Sequence, residues 1–146
     1  MAFSDRELLA RLIKCEAGGE GDNGMKAVAT TIMNRVRVPD GEYHTIGQGD
    51  IRKVIYQAGQ FDCMRPVLGG MPNPQTIWGN PPEQIHYDIA DWALAGNRLY
   101  PIGGALWYFN PYAPCPYYFP YNQTGNFQVK ITRHCFYVPT AKYFET

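Results

Sequence analysis

One glutamate in this chain lies where a carboxyl group can hold its proton at neutral pH. Leu9, Leu12 and Ile13 recur at helical spacing, and the same spacing puts Glu16 on their apolar stripe. Burial against apolar neighbours penalises the charged carboxylate, so such a group stays protonated to a higher pH than an exposed one. A proton held in this way can be given to a glycosidic oxygen, which is the first step of glycoside cleavage.

The alternative for Glu16 is a structural role. A carboxylate near a helix end can pair with a basic side chain, and the nearby bases are Arg11, Lys14, Lys26 and Arg35. The segment 17–21 favours the catalytic interpretation, because its glycines leave room for a substrate to approach the helix end. Glu20 in the same segment is a second candidate carboxylate, although glutamates in loops are usually solvated.

Serine and cysteine nucleophiles have little support in the sequence. Ser4 is the only serine, and its position is that of a helix cap. A reactive thiolate is favoured at a helix N-terminus or beside a cation, whereas Cys15 precedes Glu16 at a helix C-terminus. Cys135 follows His134, and neighbouring residues in a strand point to opposite faces, so this pair does not cooperate.

Metal and nucleotide chemistry are also unsupported. The three histidines, His44, His86 and His134, show none of the spacings of common metal-binding motifs. No glycine-rich loop follows a strand and opens a helix, as a phosphate-binding loop would. We therefore predict no metal site and no cofactor.

Charge and composition narrow the partners further. Thirteen basic and thirteen acidic residues cancel, so there is no basic excess to bind nucleic acid or an anionic membrane. No apolar stretch of about 18 residues exists that would span a bilayer. The chain is rich in aromatic residues, with eleven tyrosines, seven phenylalanines and three tryptophans. Because no run of Lys and Arg accompanies them, sugar rings are favoured as ligands. Packing in the core is expected for most of them, including Trp92 and Trp107.

The oxidation state of the four cysteines depends on the cellular compartment. No secretory leader is visible before the first helix, and this favours reduced, buried cysteines. The alternative is that one pair, such as Cys115 and Cys135, is bridged.

Four helices are predicted in the first two thirds of the chain, over residues 5–17, 22–38, 50–56 and 80–96. Ser4 and Glu7 form a capping box for the first, Asp22 can cap the second, and Asn80 can cap the fourth. Strands are predicted over 106–109, 127–131 and 136–138, with a Pro- and Tyr-rich loop over 111–121. The sequence thus predicts a single α+β domain spanning residues 1–146.

Several blocks in this order resemble the spore cortex-lytic cell wall hydrolases, the SleB/CwlJ family. Residues 9–21 (LARLIKCEAGGEG), 24–25 and 32–36 (IMNRV) resemble the family's opening block. Residues 54–57 and 60–61, 106–111 (LWYFNP), and 134–137 (HCFY) with 139–141 resemble the later blocks. The short length, the missing leader and the absence of a peptidoglycan-binding repeat look closer to the CwlJ branch. The loop between Met64 and Gln75 departs from the family in being richer in Gly and Pro.

The resemblance implies a lysozyme-like or lytic-transglycosylase-like fold, in which a mainly helical lobe and a small β lobe flank a groove. It implies that Glu16 is the catalytic glutamate and that the family's second glutamate falls on Glu20. Substrate-binding positions are expected at Glu20, Gln60, Phe61, Tyr108, Asn110 and Tyr137. Aromatic rings among them would hold the sugars, and the amides would bind N-acetyl groups.

The resemblance also implies a biological setting. The substrate would be the glycan strand of spore cortex peptidoglycan, cleaved during germination. The enzyme would be made in the mother cell without a signal peptide and placed at the boundary of spore coat and cortex. A spore-coat protein that anchors or activates it is a possible partner. The family is associated with a response to calcium dipicolinate, but the sequence contains no EF-hand-type calcium loop.

The expected reaction is cleavage between N-acetylmuramic acid and N-acetylglucosamine by a lytic transglycosylase, which leaves a 1,6-anhydro product. Two alternatives stay open at this point. One is plain hydrolysis with Glu20, Asp22 or Asp62 as general base, and the other is an inactive glycan-binding protein of the spore coat.

Overall fold

The computed structural model describes residues 2–146, so that Met1 of the predicted 1–146 domain lies outside the described residues. The helices are α1 (Asp5–Ala17), α2 (Gly21–Arg37), α3 (Glu42–Gly47), α4 (Ile51–Tyr56) and α5 (Gln84–Leu94). The strands are β1 (Val67–Leu68), β2 (Met71–Pro72), β3 (Trp107–Phe109), β4 (Gly125–Ile131) and β5 (His134–Pro139). The predicted α+β class is confirmed. Within residues 2–146, no helix combines the length and the apolarity needed to cross a bilayer.

Helix α1 begins where the capping pattern predicts. The Ser4 hydroxyl accepts a hydrogen bond from the Glu7 backbone N–H at 3.1 Å, while the Glu7 carboxylate accepts one from Arg11 at 2.7 Å instead of closing the box. The apolar stripe of α1 packs against α2 and α5 and is fully buried at Leu8, Leu9, Leu12 and Ile13. Burial of this stripe fixes the rotation of α1 about its axis, and with it the direction in which Glu16 points.

Side chains of helix α2 form hydrogen bonds with the segment that precedes the larger sheet. The Asn34 side-chain amide donates to the carbonyls of Gly103 and Ala105 at 3.0 and 2.9 Å, and Arg35 Nε donates to the carbonyl of Leu106 at 2.5 Å. These bonds hold the segment that leads into β3. The predicted cap of α2 is wrong, because the helix starts one residue before Asp22, whose carboxylate pairs with Lys26 at 2.9 Å.

The fourth predicted helix starts later than its sequence signals indicate. The Asn80 side-chain amide donates to the carbonyls of Pro74 and Thr76 at 3.2 and 2.7 Å, and so holds the preceding turn instead of capping a helix. Helix α5 begins at Gln84, where the Glu83 backbone N–H donates to His86 Nδ1 at 2.9 Å. The sequence also gives no prediction for α3 or for the short β1–β2 hairpin, whose elements are only six and two residues long.

The larger sheet is antiparallel with the strand order β3-β5-β4. Trp107 lies opposite Tyr137, and Tyr108 lies opposite Phe136. Because alternate residues of a strand face opposite sides of the sheet, each pair has its own face. The Trp107–Tyr137 face packs in a second, aromatic core, whereas Phe136 joins the main helical core and Tyr108 packs against it. Tyr108 is thereby directed toward α1.

The four cysteines form two disulfides, Cys15–Cys63 and Cys115–Cys135. This corrects the expectation of reduced cysteines. Cys115–Cys135 is the bridge named as the alternative, and it ties the Pro- and Tyr-rich loop to β5. Cys15–Cys63 was not predicted, because the two residues lie 48 positions apart and share no sequence motif.

Candidate active site

Glu16 lies in the last turn of α1 with each carboxylate oxygen in contact with a different neighbour. Oε1 accepts a hydrogen bond from the Tyr108 hydroxyl at 2.5 Å. Oε2 lies 3.0 Å from Sγ of Cys63, a sulfur that carries no proton because it is bridged to Cys15. Of these two neighbours only Tyr108 donates a hydrogen bond, so Oε1 of Glu16 has a donor and Oε2 has none.

This environment raises the pKa of Glu16 above its ordinary value, chiefly because burial penalises the charged form. The Tyr108 hydrogen bond and the charges of His134 and Arg35 act in the opposite direction, while the Asp62 carboxylate adds to the rise. The bases named as structural partners do not form an ion pair with Glu16 within the described residues: Arg11 pairs with Glu7, Lys26 with Asp22, Lys14 bonds the Pro81 carbonyl, and Arg35 bonds the Leu106 carbonyl.

Tyr108 acts only as a donor toward Glu16. Burial and the neighbouring Glu16 carboxylate raise the pKa of its hydroxyl well above the ordinary value, so the phenol keeps its proton. Sequence analysis predicts Tyr108 as a residue that holds sugar, but the structure places its hydroxyl against Glu16 instead of on the wall of the groove.

Glu20 contacts His134 beside the pair formed by Glu16 and Tyr108. Its carboxylate lies 2.7 Å from His134 Nδ1 and also accepts from the backbone N–H of Arg133 at 3.3 Å. The side chains of His134 and Glu20 are only 13% and 8% exposed. The His134 ring packs edge-on against Tyr108 with centroids 5.2 Å apart, which links Glu20 to Glu16 through two aromatic side chains.

A groove of about 610 Å³ runs past Glu16 and Glu20. The end of α1 and the α1–α2 turn form one wall, Arg133 and His134 contribute from the start of β5, and Gln75, Asn80, Glu83 and His86 line the rest with Asn110 and Tyr112. The Asn110 side-chain oxygen accepts from the Tyr112 backbone N–H at 2.9 Å, so its amide nitrogen is the group left to meet a ligand. Asn110 thus lies on the groove, and its role in substrate binding stays a prediction.

His86 and His134 line the groove and are not predicted as site residues by the sequence. His134 Nδ1 contacts Glu20, whereas His86 Nδ1 accepts a backbone N–H, which assigns the ring proton of neutral His86 to Nε2. Burial and the nearby Lys14 lower the pKa of His86, so the neutral form is favoured. The available sequence signal for His86 is its place on the buried face of α5, three residues before Ile89, where a polar side chain is unexpected.

Three predicted substrate-binding residues lie away from the groove. The side-chain oxygen of Gln60 accepts from the hydroxyl of Tyr43 at 2.9 Å and from Arg35 at 3.3 Å. Phe61 is 3% exposed and packs under the Arg35 guanidinium. Tyr137 is fully buried and donates to the carbonyl of Pro116 at 2.6 Å. The prediction that these residues line the groove is corrected, because Phe61 and Tyr137 are buried in the core and the Gln60 side chain is bonded to Tyr43 and Arg35.

Cys15, Glu16 and Cys63 together resemble a metal-binding cluster, since their potential ligand atoms lie within 4.8 Å of one another. Metals bind cysteine as the thiolate, however, and both sulfurs are consumed in the disulfide. The residues as they stand therefore do not fit a metal ion.

A family model described as Cell Wall Hydrolase matches residues 19–137, which is most of the chain. This chain belongs to the cell wall hydrolase family. The match begins just after Glu16, so the case for this carboxylate rests on its contacts and on the groove.

Similar proteins include the cell wall hydrolase CwlJ of Bacillus subtilis, 34% identical over 139 residues, which cover 95% of this chain and 88% of that protein. CwlJ of Oceanobacillus iheyensis is 33% identical over 138 residues, covering 92% of this chain and 86% of that protein. CwlJ of Halalkalibacterium halodurans is 30% identical over 138 residues, covering 94% and 87%. The predicted SleB/CwlJ membership is confirmed.

Two solved structures share the fold. The catalytic domain of the germination-specific lytic transglycosylase SleB from Bacillus anthracis aligns with a TM-score of 0.66 at 24% identity and covers 94% of this chain and 96% of that one. The catalytic domain of the Bacillus cereus SleB protein aligns with a TM-score of 0.63 at 25% identity and covers 93% and 92%. The lysozyme-like, lytic-transglycosylase-like fold is confirmed.

Proposed function

We propose that this protein cleaves the glycan strand of spore cortex peptidoglycan during germination, as a lytic transglycosylase that uses Glu16 first as acid and then as base. The observation that carries the proposal is a partly buried carboxyl group with a raised pKa, which accepts a hydrogen bond from Tyr108 and lines a groove. Support for the substrate comes from the names of the relatives, three CwlJ cell wall hydrolases and a germination-specific lytic transglycosylase.

In the first step, Glu16 donates its proton to the oxygen between N-acetylmuramic acid and N-acetylglucosamine. Tyr108 donates to Oε1, so the transferable proton resides on Oε2. As the glycosidic bond breaks, the carboxylate that remains on Glu16 keeps the Tyr108 hydrogen bond and is stabilised by the positive charge of Arg35.

In the second step, the Glu16 carboxylate accepts a proton from the C6 hydroxyl of the muramic acid. The C6 oxygen then closes on C1 to give the 1,6-anhydro product, and Glu16 returns to its protonated form. One residue that serves in turn as acid and base needs no second catalytic carboxylate. Asn110 and His86 on the groove supply hydrogen-bond donors suited to N-acetyl carbonyl groups.

The hydrolytic alternative requires a carboxylate free to activate water. The three carboxylates considered for this task each have a basic partner: Glu20 contacts His134, Asp22 pairs with Lys26, and Asp62 lies 3.7 Å from Arg65. Glu83 lies on the groove as a further carboxylate. Product chemistry separates the two reactions, since hydrolysis leaves reducing muramic acid ends and transglycosylation leaves anhydromuramic ends.

The decisive experiment combines Glu16→Gln with mass spectrometry of digested spore peptidoglycan. The parent should release fragments with anhydromuramic ends, and Glu16→Gln should release none while its circular dichroism spectrum stays native. Glu145→Gln is the matched control, because Glu145 is exposed and lies away from the groove. Cleavage by Glu16→Gln at the parent rate refutes the site, and reducing ends alone refute the transglycosylase reaction. A parent that binds spore peptidoglycan without cleaving it would favour the inactive glycan-binding alternative.

The setting is part of the same proposal. We expect the chain to act as one catalytic domain at the boundary of spore coat and cortex, after synthesis in the mother cell. An anchoring or activating spore-coat protein is a proposed partner. Fractionation of spores with an antibody against the protein, followed by crosslinking of the coat fraction, tests both the location and the partner.

A further inference from the structure

A disulfide lies directly against the proposed catalytic carboxyl group. Cys63 Sγ is 3.0 Å from Glu16 Oε2, and its partner Cys15 is the residue immediately before Glu16. Cys15 is partly exposed and lines the groove, whereas Cys63 is only 3% exposed. The bridge is therefore reachable from the groove at one sulfur and touches Glu16 with the other.

The state of this bridge decides how many donors Glu16 receives from its two neighbours. In the disulfide, Oε1 has the Tyr108 hydroxyl and Oε2 faces a sulfur without a proton. In the reduced protein, the Cys63 thiol would be a donor 3.0 Å from Oε2. Donors on both oxygens favour the carboxylate over the carboxylic acid, and only the carboxylic acid can start the reaction.

The bridge also holds one wall of the groove. The segment 62–80 is attached to α1 by the disulfide and by the bond from Arg11 to the Ile77 carbonyl at 2.6 Å. Gln75 of this segment lines the groove, and its carbonyl oxygen lies 3.0 Å from Cys15 Sγ. Opening the bridge removes the covalent attachment nearest to Glu16.

We propose that the Cys15–Cys63 disulfide is a thiol-exchange site that switches the enzyme, active when bridged and reversibly inhibited when a small dithiol reduces it. The inference rests on the proposed function of Glu16. It assigns to the groove a second kind of ligand, a low-molecular-weight thiol, whose target is Cys15.

The exchange balances without any further reactant. A thiolate of the dithiol attacks Sγ of Cys15, the Cys15–Cys63 bond breaks, and the electron pair leaves on Cys63 Sγ. Burial and the neighbouring Glu16 carboxyl group oppose a second negative charge there, so Cys63 takes up a proton. The second thiol of the reagent then attacks the mixed disulfide, which releases reduced Cys15 and the cyclic, oxidised reagent. Two electrons and two protons pass from the dithiol to the protein.

The groups that face Glu16 are the Tyr108 hydroxyl, the His134 ring, the Arg35 guanidinium and the Asp62 carboxylate. Reduction adds the Cys63 thiol to this set. A hydrogen bond to a charged group shifts a titration by about one pH unit. The alkaline limb of the activity profile should therefore move down by about one pH unit, and the rate on that limb should fall about tenfold.

The test uses the wild-type protein poised in buffers of reduced and oxidised dithiothreitol, with EDTA present so that metal binding to freed thiols does not contribute. Activity is measured as release of glycan fragments from spore peptidoglycan. A sample of each mixture is alkylated and analysed by mass spectrometry, which gives the redox state of each cysteine pair separately. The rate should fall as Cys15 and Cys63 become reduced, and it should recover on reoxidation.

A rate on the alkaline limb within twofold of the oxidised value, with both Cys15 and Cys63 reduced, overturns the proposal. So does a loss that follows reduction of Cys115 and Cys135 instead. If the oxidised protein itself releases no fragments, the proposed function fails, which is a different result from a rate that ignores the redox state.

Paired variants separate the donor from the attachment. The variant with Cys15→Ala and Cys63→Ala keeps the second disulfide and should not respond to reductant; if it still does, the assignment to this bridge is wrong. The variant with Cys15→Ala and Cys63→Ser differs from it only by a hydroxyl donor beside Glu16. Its alkaline limb should lie about one pH unit lower, and identical profiles for the two variants would contradict the donor mechanism.

Discussion

Tyr108→Phe tests the electrostatic balance at Glu16 directly. The Tyr108 hydroxyl donates to Glu16 Oε1 at 2.5 Å. This hydrogen bond lowers the pKa of Glu16, whereas burial raises it. Phenylalanine fills the same space without the donor. Hydrogen bonds to charged groups are worth about 1.5–3 kcal/mol, and 1.36 kcal/mol corresponds to one pH unit, so the pKa of Glu16 should rise by about one to two units.

The sign of the effect distinguishes this role from simple damage. Glu16 is needed as an acid, so activity is lost on the alkaline side as it deprotonates, and in Tyr108→Phe that limb should move to higher pH. The maximal rate should fall as well, because the carboxylate left after proton transfer lacks its donor. The measurement is the rate of glycan release from spore peptidoglycan between pH 5 and 10.

Tyr137→Phe is the matched control for this experiment. It removes a hydroxyl from the neighbouring strand, where Tyr137 bonds the carbonyl of Pro116 and does not touch Glu16. Its alkaline limb should coincide with that of the parent. An alkaline limb that stays in place or moves down in Tyr108→Phe would refute the assigned role of the Tyr108 hydrogen bond.

Three further predictions concern stability and positioning. Glu16→Gln should be more stable than the parent by about 1 kcal/mol at pH 8 but not at pH 4, because a raised folded-state pKa makes the parent lose stability as pH rises above the unfolded value; equal urea midpoints at both pH values would contradict this. His134→Ala removes the ring that packs between Glu20 and Tyr108, so Tyr108 should be misplaced and the rate of glycan release should fall about 10- to 100-fold while the circular dichroism spectrum stays native. An unchanged rate would show that His134 does not position Tyr108. Replacing both Cys115 and Cys135 by Ala should cost about 3 kcal/mol in urea unfolding, as expected for closing a loop of 20 residues, and a loss below about 1 kcal/mol would show that the bridge is not stabilising.

The parts of the fold that the sequence predicts are those with strong local signals. Ser4 and the apolar stripe of α1 define a helix that begins at the predicted residue. The helix predicted over 50–56 is found as α4, which begins one residue later because Asp50 caps it through the Arg52 backbone N–H at 2.8 Å. The start of α5 is mispredicted because Asn80 has two possible local partners, a following helix and a preceding turn, and only the packed structure decides between them. Local pattern carries no information on that choice.

The candidate site shows the same division. Glu16 is predictable because a carboxylate on an apolar stripe violates the helical pattern, and such violations often mark functional residues. Its partners are not predictable from local pattern, since Tyr108 and Cys63 lie 92 and 47 positions away along the chain. Resemblance to a family supplied the position of Tyr108 but a different role, and it also placed Gln60 and Phe61 on a groove that neither side chain lines.

A residue that acts as acid and then as base needs both of its protonation states to be accessible, and the surroundings of Glu16 meet both needs. Burial and a position in the last turn of α1, near the negative end of the helix dipole, favour the protonated form. The Tyr108 donor and the positive charge of Arg35 limit that preference, so the carboxylate produced by proton transfer is not left without compensation. A second donor on Oε2 would tip this balance toward the carboxylate. The bridged sulfur of Cys63 offers no proton at that position, so it leaves the protonated form of Glu16 favoured, as burial does. The oxidation state of Cys63 therefore affects how readily the neighbouring carboxyl group keeps its proton.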